Sequence, residues 1–568
     1  MGFDSTSATP ERPAPPPQIP RATRRLRAAL LLGYLAVALA IYWPSLQGGP
    51  ISDDYGFLLN PWVVDASPRH LLEILDPRSQ ATLSLRNYAP LRALANALEW
   101  KLVAENAPVY HGINVAMHAL ACWLAALLMI QSGLSEAVAF LGGAFLLAHP
   151  AQVEAVAWMS QIWNAMALAL GAGALLAQRR RPLVAWALFA LALLTRPTAV
   201  SFLPAALLRE WSWRRAEAPS SSHRGLWLAA WALACLAVGS AELATFHESG
   251  AAARIVPYAD VAAKARTLVA DFGRYLAMAA TGLGVSAFQE PNVALSWFDP
   301  WWLFGLGAGA AIAARSLVCL VRGREEAAWW AWGVGAFVPV SQLFPFLYPT
   351  ADRYLYFMLP GLLGGALLAG REASSRLAAP ARPLAVHLAA ACALAAIGAL
   401  ALTSHTRAAL WTSEDRVLAD AARHYPRGVI ANLLAARRAA SQGDVDATVA
   451  SIEACRARGW DYYTYLLAHP AFEPVRASPP FQALLGRFAD ELIEVETRRV
   501  RRSQLDWRDL AQAYELRRRD ADAAAALERG LALGGPLDAV LRNELARLRT
   551  GRSDDAAIMA PGALPEDR

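Results

Sequence analysis

Apolar stretches close to 20 residues long recur through the first 400 positions of the chain, and this most restricts what it can fold into. A hydrocarbon core about 30 Å thick is crossed by about 20 helical residues. Only 18% of the 568 residues are charged and 56% are hydrophobic, against about 25% charge in an ordinary soluble domain. The formal net charge of +6 does not signal nucleic-acid binding, because the arginines fall in short clusters between apolar runs. That is the pattern of cytoplasmic loops under the positive-inside rule. Repeated spans of this kind predict an all-α, polytopic membrane domain.

Charge parity sets the expected topology. Arg21, Arg24, Arg25 and Arg27 precede the first apolar run, 28–43, which lacks a small-x-small cleavage site and reads as a retained anchor. With that cluster inside, 45–108 is a large external loop, too polar to span. Further spans are expected at 110–130, 137–148 and 153–177. A pair of short spans over 182–210 is broken at Thr195-Arg196-Pro197, where proline removes a backbone donor. Runs at 226–245, 301–321, 327–347, 354–368 and 385–402 bring the count to about eleven. Residues 262–286 carry Asp271 and Arg274 and are assigned to an interfacial helix. Residues 1–25 and 553–568 are expected to be disordered, the first rich in Pro, Ser and Thr.

Beyond residue 405 the composition turns to Arg, Asp, Ala and Glu with helical periodicity. Gly443-Asp444 separates one pair of helical stretches, and Leu510–Leu533 repeats the plan. Paired helices at this spacing predict a soluble, tetratricopeptide-like helical domain over 406–552, on the external side. Cys122, Cys235, Cys319 and Cys392 lie in apolar runs and no cysteine pair has metal or redox spacing, so neither a disulfide framework nor a metal site is expected.

Ile51-Ser-Asp-Asp-Tyr55, just past the first span, is the most informative local feature. Asp53 and Asp54 sit where the bilayer ends, and one of them suits a general base acting on a hydroxyl; a surface turn or helix cap is the other reading of the same spacing. Arg196 at the broken span and Arg353 in Asp352-Arg353-Tyr354 sit at the same external level and suit a lipid phosphate. Pairing with acids elsewhere is the alternative for both. His149 and Glu154 fall on an external turn, with Glu154 opening a helix. His111 and His118 share one face of a span, where histidines commonly hydrogen-bond within a bundle.

An ordered set of motifs adds to this reading. Ser52-Asp-Asp-Tyr is followed by Tyr88-Ala-Pro-Leu-Arg92, Pro108-x-Tyr-His-x-x-Asn-x-x-x-His118 and His149-Pro-Ala-Gln-Val-Glu-Ala-Val-Ala-Trp158. Leu193-Leu-Thr-Arg-Pro-Thr-Ala199 and Ala351-Asp-Arg-Tyr-Leu-Tyr356 complete the series. This succession resembles the transmembrane and tetratricopeptide-repeat-containing proteins, which are similar in fold to the protein O-mannosyltransferases of the GT-C superfamily. At 159–164 the chain reads Met-Ser-Gln-Ile-Trp-Asn, where such relatives often carry charge.

The resemblance implies a GT-C-type membrane domain over 26–405 and transfer of a mannose-like sugar from a polyprenyl-phosphate donor. The acceptor would be a hydroxyl of a protein or other molecule on the external face, with Asp53 and Asp54 as the catalytic feature. It also implies membrane lipid and lipid-linked sugar as partners and a protein or glycan acceptor engaged through the repeat tail. A bacterial inner membrane is the expected location, with the N-terminus cytoplasmic. The sequence-level alternatives are a transporter or flippase of lipid-linked solutes, which would show interrupted helices in inverted repeats, and a non-catalytic membrane-anchored repeat scaffold.

Overall fold

The computed structural model describes residues 21–216, 223–248, 258–343, 349–376 and 382–550. The segments expected to be disordered lie outside these residues, apart from 21–25. The described residues are helical throughout, with turns and no strand. The membrane part begins with α1 (Arg21–Tyr42). Five short helices follow in the polar loop: α2 (Asp54–Phe57), α3 (Pro61–Asp65), α4 (Pro68–Leu75), α5 (Gln80–Leu85) and α6 (Pro90–Val103). This loop is therefore a folded layer. Its helices start where the sequence supplies caps. Asn60, Ser67 and Ser79 each accept from a backbone N–H of the next turn, and prolines open α3, α4 and α6, where the missing N–H costs nothing.

The bundle continues with α7 (Ala107–Gln131), α8 (Glu136–Ala148), α9 (Val153–Ala157), α10 (Ile162–Ala177), α11 (Pro182–Thr195), α12 (Phe202–Ala216) and α13 (His223–Glu248). It closes with α14 (Val261–Thr281), α15 (Pro300–Val321), α16 (Glu326–Phe337), α17 (Leu355–Ser375) and α18 (Arg382–Ala408). Among the described residues six helices are long and apolar enough to cross a bilayer, or seven if the pair α8 and Pro150–Ala157, bent by 56°, counts as one. Every run expected to span contains helix among its described residues, residues 344–347 of the run 327–347 lying outside them, but α11, α12, α16 and α17 fall short in length or apolarity, so the count of about eleven is not reached on these criteria. The break at Arg196 is present: α11 ends at Thr195 and a 3-10 turn, Pro197–Ser201, leads into α12. The region expected to lie at the interface is α14, which packs along α15.

Burial separates core from periphery. α7 and α10 are mostly enclosed, whereas α13, α15 and α18 show nearly all of their apolar surface outward. Leu226, Leu233, Leu236, Leu388 and Leu394 are all more than half exposed. Apolar faces of this extent fit lipid and not water, so the chain is an integral membrane protein. At one end of the bundle Arg27 pairs with Glu136 at 2.6 Å, Arg209 with Glu325 at 2.7 Å and Arg315 with Glu326 at 2.6 Å. The loop layer and Arg196 lie at the other.

The tail comprises α19 (Glu414–His424), α20 (Val429–Ser441), α21 (Val445–Arg456), α22 (Tyr463–Ala468), α23 (Glu473–Arg476), α24 (Pro479–Arg498), α25 (Gln504–Leu516), α26 (Asp520–Leu533) and α27 (Asp538–Thr550). α20 pairs with α21 through a turn at Gly443 (φ +75°), and α25 pairs with α26. The two halves have separate apolar cores, one around Leu433, Phe472 and Phe481 and one around Leu510, Leu527 and Leu541. The tail is docked on the membrane domain. Glu290 accepts from Val429 N at 2.6 Å, Arg501 meets Glu248 at 2.9 Å, and Gln80 donates to Gly534 O at 3.1 Å.

α16 and α17 cross at glycine. A Cβ on Gly333 would stand 2.8 Å from Leu362 N, and one on Gly361 would strike the backbone of Gly333. Gly361→Val should therefore force the helices apart and cost about 1–3 kcal/mol, read as a lower melting temperature in detergent.

Candidate functional site

Between the loop layer, α11, α13, α16 and the tail lies a cavity of about 1140 Å³. One arm, between α11, α13 and α16, is apolar, walled by Leu193, Val200, Pro204, Val238, Leu243 and Val334. The other is polar and carries Asp53, Asn60, Arg196, Glu242 and Arg353. Three of the four residues singled out for chemistry thus line one space. Asp54 does not.

The two adjacent acids have different environments. Asp54 is buried, and its oxygens accept from Ile51 N at 2.8 Å and Ser160 N at 2.7 Å. It fastens the loop to the chain after α9, and Trp158 Nε1 donates to Ile51 O at 3.0 Å beside it. Burial pushes its carboxyl up to about 7, and the two backbone donors oppose that rise. Asp53 is half-buried, and its carboxylate makes no hydrogen bond or ion pair with the described residues. Burial raises its pKa; the nearby Arg353 and Arg92 pull it down, and Glu154 adds to the rise. Ser52, just before the pair, has φ +51°, a left-handed conformation that costs a side-chain-bearing residue energy and recurs near functional groups.

The cations form a bracket. Arg196 is buried; its Nε donates to Thr198 Oγ1 at 2.9 Å and its Nη1 to Asn164 Oδ1, and its guanidinium lies 4.7 Å from the Trp163 ring centre. Arg92 meets Trp163 at 4.2 Å and Phe57 at 4.1 Å. It is fully buried, donates to Asn87 at 2.8 Å, and leaves Nε and Nη1 without a hydrogen-bond partner. Glu242, in the same cavity, accepts from Tyr88 N at 2.5 Å and acts electrostatically on Arg92. Arg353 has a partner: Glu154 takes its backbone N at 2.8 Å and also binds its guanidinium.

The remaining expected residues are placed as follows. Tyr354 lines the cavity. Asp352 turns aside, accepting from Ser286 N at 2.9 Å and Gln289 Nε2 at 2.6 Å, so the acid beside Arg353 in sequence is not its partner in space. His118 pairs with Tyr356 Oη at 2.7 Å and His111 with Gly48 O at 3.3 Å; His149 Nδ1 caps the turn at Ala151. These three histidines are bundle fasteners outside the cavity lining. No three His, Cys, Asp or Glu side chains gather as a metal-ligand group among the described residues.

Arg92, Trp163, Asn164 and Glu242 were not singled out from the sequence. Arg92 ends the Tyr88-Ala-Pro-Leu-Arg motif, a usable signal. The uncharged 159–164 stretch holds the bracket: Asn164 Nδ2 donates to Gln161 Oε1 at 2.9 Å, which aims its own oxygen at Arg196.

The sequence matches no family model and no curated protein. Among solved structures it is similar to ArnT from Cupriavidus metallidurans in the apo state, at 14% identity and a TM-score of 0.34, over 83% of this chain and 80% of that one. The same protein bound to undecaprenyl phosphate gives 14% identity and a TM-score of 0.33, over 82% and 80%. A likeness this loose carries no argument about fold or activity.

Asp54→Asn would set an amide NH₂ against one of two backbone donors and should lower stability by about 1.5–3 kcal/mol, the range for a charge-assisted hydrogen bond. Asp53→Asn removes an unpaired carboxylate and should leave the melting temperature unchanged or higher. Equal melting of the two variants would contradict the clamp assigned to Asp54.

Proposed function

We propose that the protein is a membrane glycosyltransferase of GT-C type that transfers a sugar from a polyprenyl-phosphate donor to a hydroxyl acceptor on the external face. The observation that carries this reading is one cavity holding an unpaired carboxylate, Asp53, buried cations, and an apolar arm along helices that face lipid. The isoprenoid lies in the apolar arm. The phosphate sits against Arg196, whose remaining donors suit anionic oxygens, with Arg353 alongside; Arg92, buried outside the cavity lining, adds positive potential. The Arg-rich opposite end marks the cytoplasmic side. The tail, read as tetratricopeptide-like, lies with the site outside.

The reaction is a single displacement. The acceptor oxygen attacks the anomeric carbon while its proton passes to Asp53. The bond from that carbon to the phosphate oxygen breaks, and its electron pair leaves with the lipid phosphate. The departing group is already a good one, so the protein's main task is to stabilise its growing charge and to supply a base in place. Asp54 positions the base by holding the turn; it does not touch the reacting atoms.

Transfer from labelled polyprenyl-phosphate sugars into a membrane extract tests the assignment. Asp53→Asn should lose most activity, of the order of the 10²–10⁴-fold that general-base catalysis supplies, and Arg196→Gln should also be impaired. No transfer by wild type, or full transfer by Asp53→Asn, would overturn it. The sign of the pH dependence follows from Asp53. The base must be ionised, so the rate falls as pH drops through its pKa. Burial and Glu154 raise that value and Arg353 and Arg92 lower it, with the rise prevailing. The acid limb should therefore lie above the ordinary Asp value of about 3.9.

A further inference from the structure

The polar arm of the cavity ends at a seam between the loop layer and the tail, and four side chains there have no role in the reaction as described. Tyr55 and Tyr462 line the cavity and are 49% and 43% exposed as residues. Arg86, at the end of α5, also lines it and stands at φ +56°, a left-handed conformation a non-glycine residue holds at a cost. Asp509, from α25, lines it from the tail side, with its backbone carbonyl accepting from Tyr463 Oη at 3.3 Å. Neither the Arg86 guanidinium nor the Asp509 carboxylate makes a hydrogen bond or ion pair with the described residues. They do feel each other electrostatically, Arg86 drawing down a carboxyl that burial pushes up to about 6. Half-buried charges without hydrogen bonds are costly unless something else supplies them.

We propose that the acceptor is a saccharide, held across this seam between Tyr55 and Arg86 on one side and Tyr462 and Asp509 on the other. The inference rests on the transferase reading and names its second substrate. A pyranose presents a face of C–H groups that packs on an aromatic ring, and pairs of neighbouring hydroxyls around its rim. A carboxylate accepts from two such hydroxyls, and a guanidinium donates to two oxygens in one plane. The seam offers one ring on each side, with the guanidinium on one and the carboxylate on the other. An extended polypeptide is bound through a sheet edge, and an amphipathic helix through a long apolar groove; the seam is built from helix ends and single side chains. The volume fits two substrates, since about 1140 Å³ exceeds the roughly 300–1,000 Å³ that holds one drug-sized ligand.

The test uses the purified full-length protein with Asp53→Asn, so that binding is read without turnover. A panel of immobilised oligosaccharides and a parallel panel of unmodified peptides are probed. Binding to at least one oligosaccharide is expected in this background. Asp509→Asn and Tyr462→Ala should each weaken it at least tenfold. Tyr55→Ala, which alters an exposed ring and so spares the fold, should do the same. Binding of peptides alone, binding of neither panel, or unchanged oligosaccharide binding in all three variants would overturn the proposal. Its failure is separable from that of the transferase reading. Transfer of sugar to peptides alone would sink the saccharide and leave the enzyme standing; oligosaccharide binding with no transfer from any lipid-phosphate sugar would do the reverse.

Discussion

The indole of Trp163 carries a guanidinium at 4.2 Å and another at 4.7 Å, from Arg92 and Arg196, and much of the architecture serves to hold these two cations close together. Each lies within 5 Å of the ring centre, so the two stand no more than about 9 Å apart, where like charges repel by about 2 kcal/mol at an effective dielectric of 20, and both are buried. The protein offsets this in three ways. The ring quadrupole attracts each cation. Asn87, Asn164 and Thr198 accept hydrogen bonds from them. Asp53, Glu242 and Glu154 supply negative potential from three different segments. The compensation is incomplete at Arg92, where two donors stay unmet. A site left short of negative charge is one that an anionic group would complete.

The same economy explains why two neighbouring aspartates differ. In the proposed reaction a loop that carries the base must be fixed, yet the base itself must stay free. Asp54 ties the turn to Ile51 and Ser160, and the strained Ser52 sets the direction of the chain between span and base. Asp53 is then presented to the cavity with nothing bound to it. Arg353 has the complementary arrangement: its charge is held by Glu154, so it contributes position and a partly neutralised potential where Arg196 contributes a nearly bare one.

Hydropathy made the helical, membrane-bound character of the chain readable, because lipid imposes length and apolarity on each segment alone. Arg196 was readable because Pro197 must break the helix beside it, and the break is where it was expected. Partners across the bundle were not readable. Asp352 adjoins Arg353 in sequence, but the partner is Glu154, 199 positions away. The loop 45–108 reads as merely polar, since its helices are too short for a periodic signal; only their proline and serine starts betray them. The stretch 159–164 looks like a loss of function because charge is absent. In space, Asn164 is a neutral acceptor that keeps Arg196 charged and oriented, and Gln161 holds Asn164 in turn, work that a carboxylate would do by quenching the cation.

A transfer from lipid to a polar acceptor poses opposed demands. The donor's tail needs a dry groove, whereas the acceptor must arrive from water. The cavity meets both by drawing its walls from different layers: α11, α13 and α16 on the lipid side, the loop helices and α25 on the other. The tail's contacts follow from this. Glu248, at the end of α13, binds Arg501, while Gln80 of the loop layer binds Gln504 and Gly534. The tail is therefore fastened to both sides of the opening it covers. Under the proposed reading, separating the two walls in this way gives the lipid tail a dry groove and the acceptor an aqueous entrance.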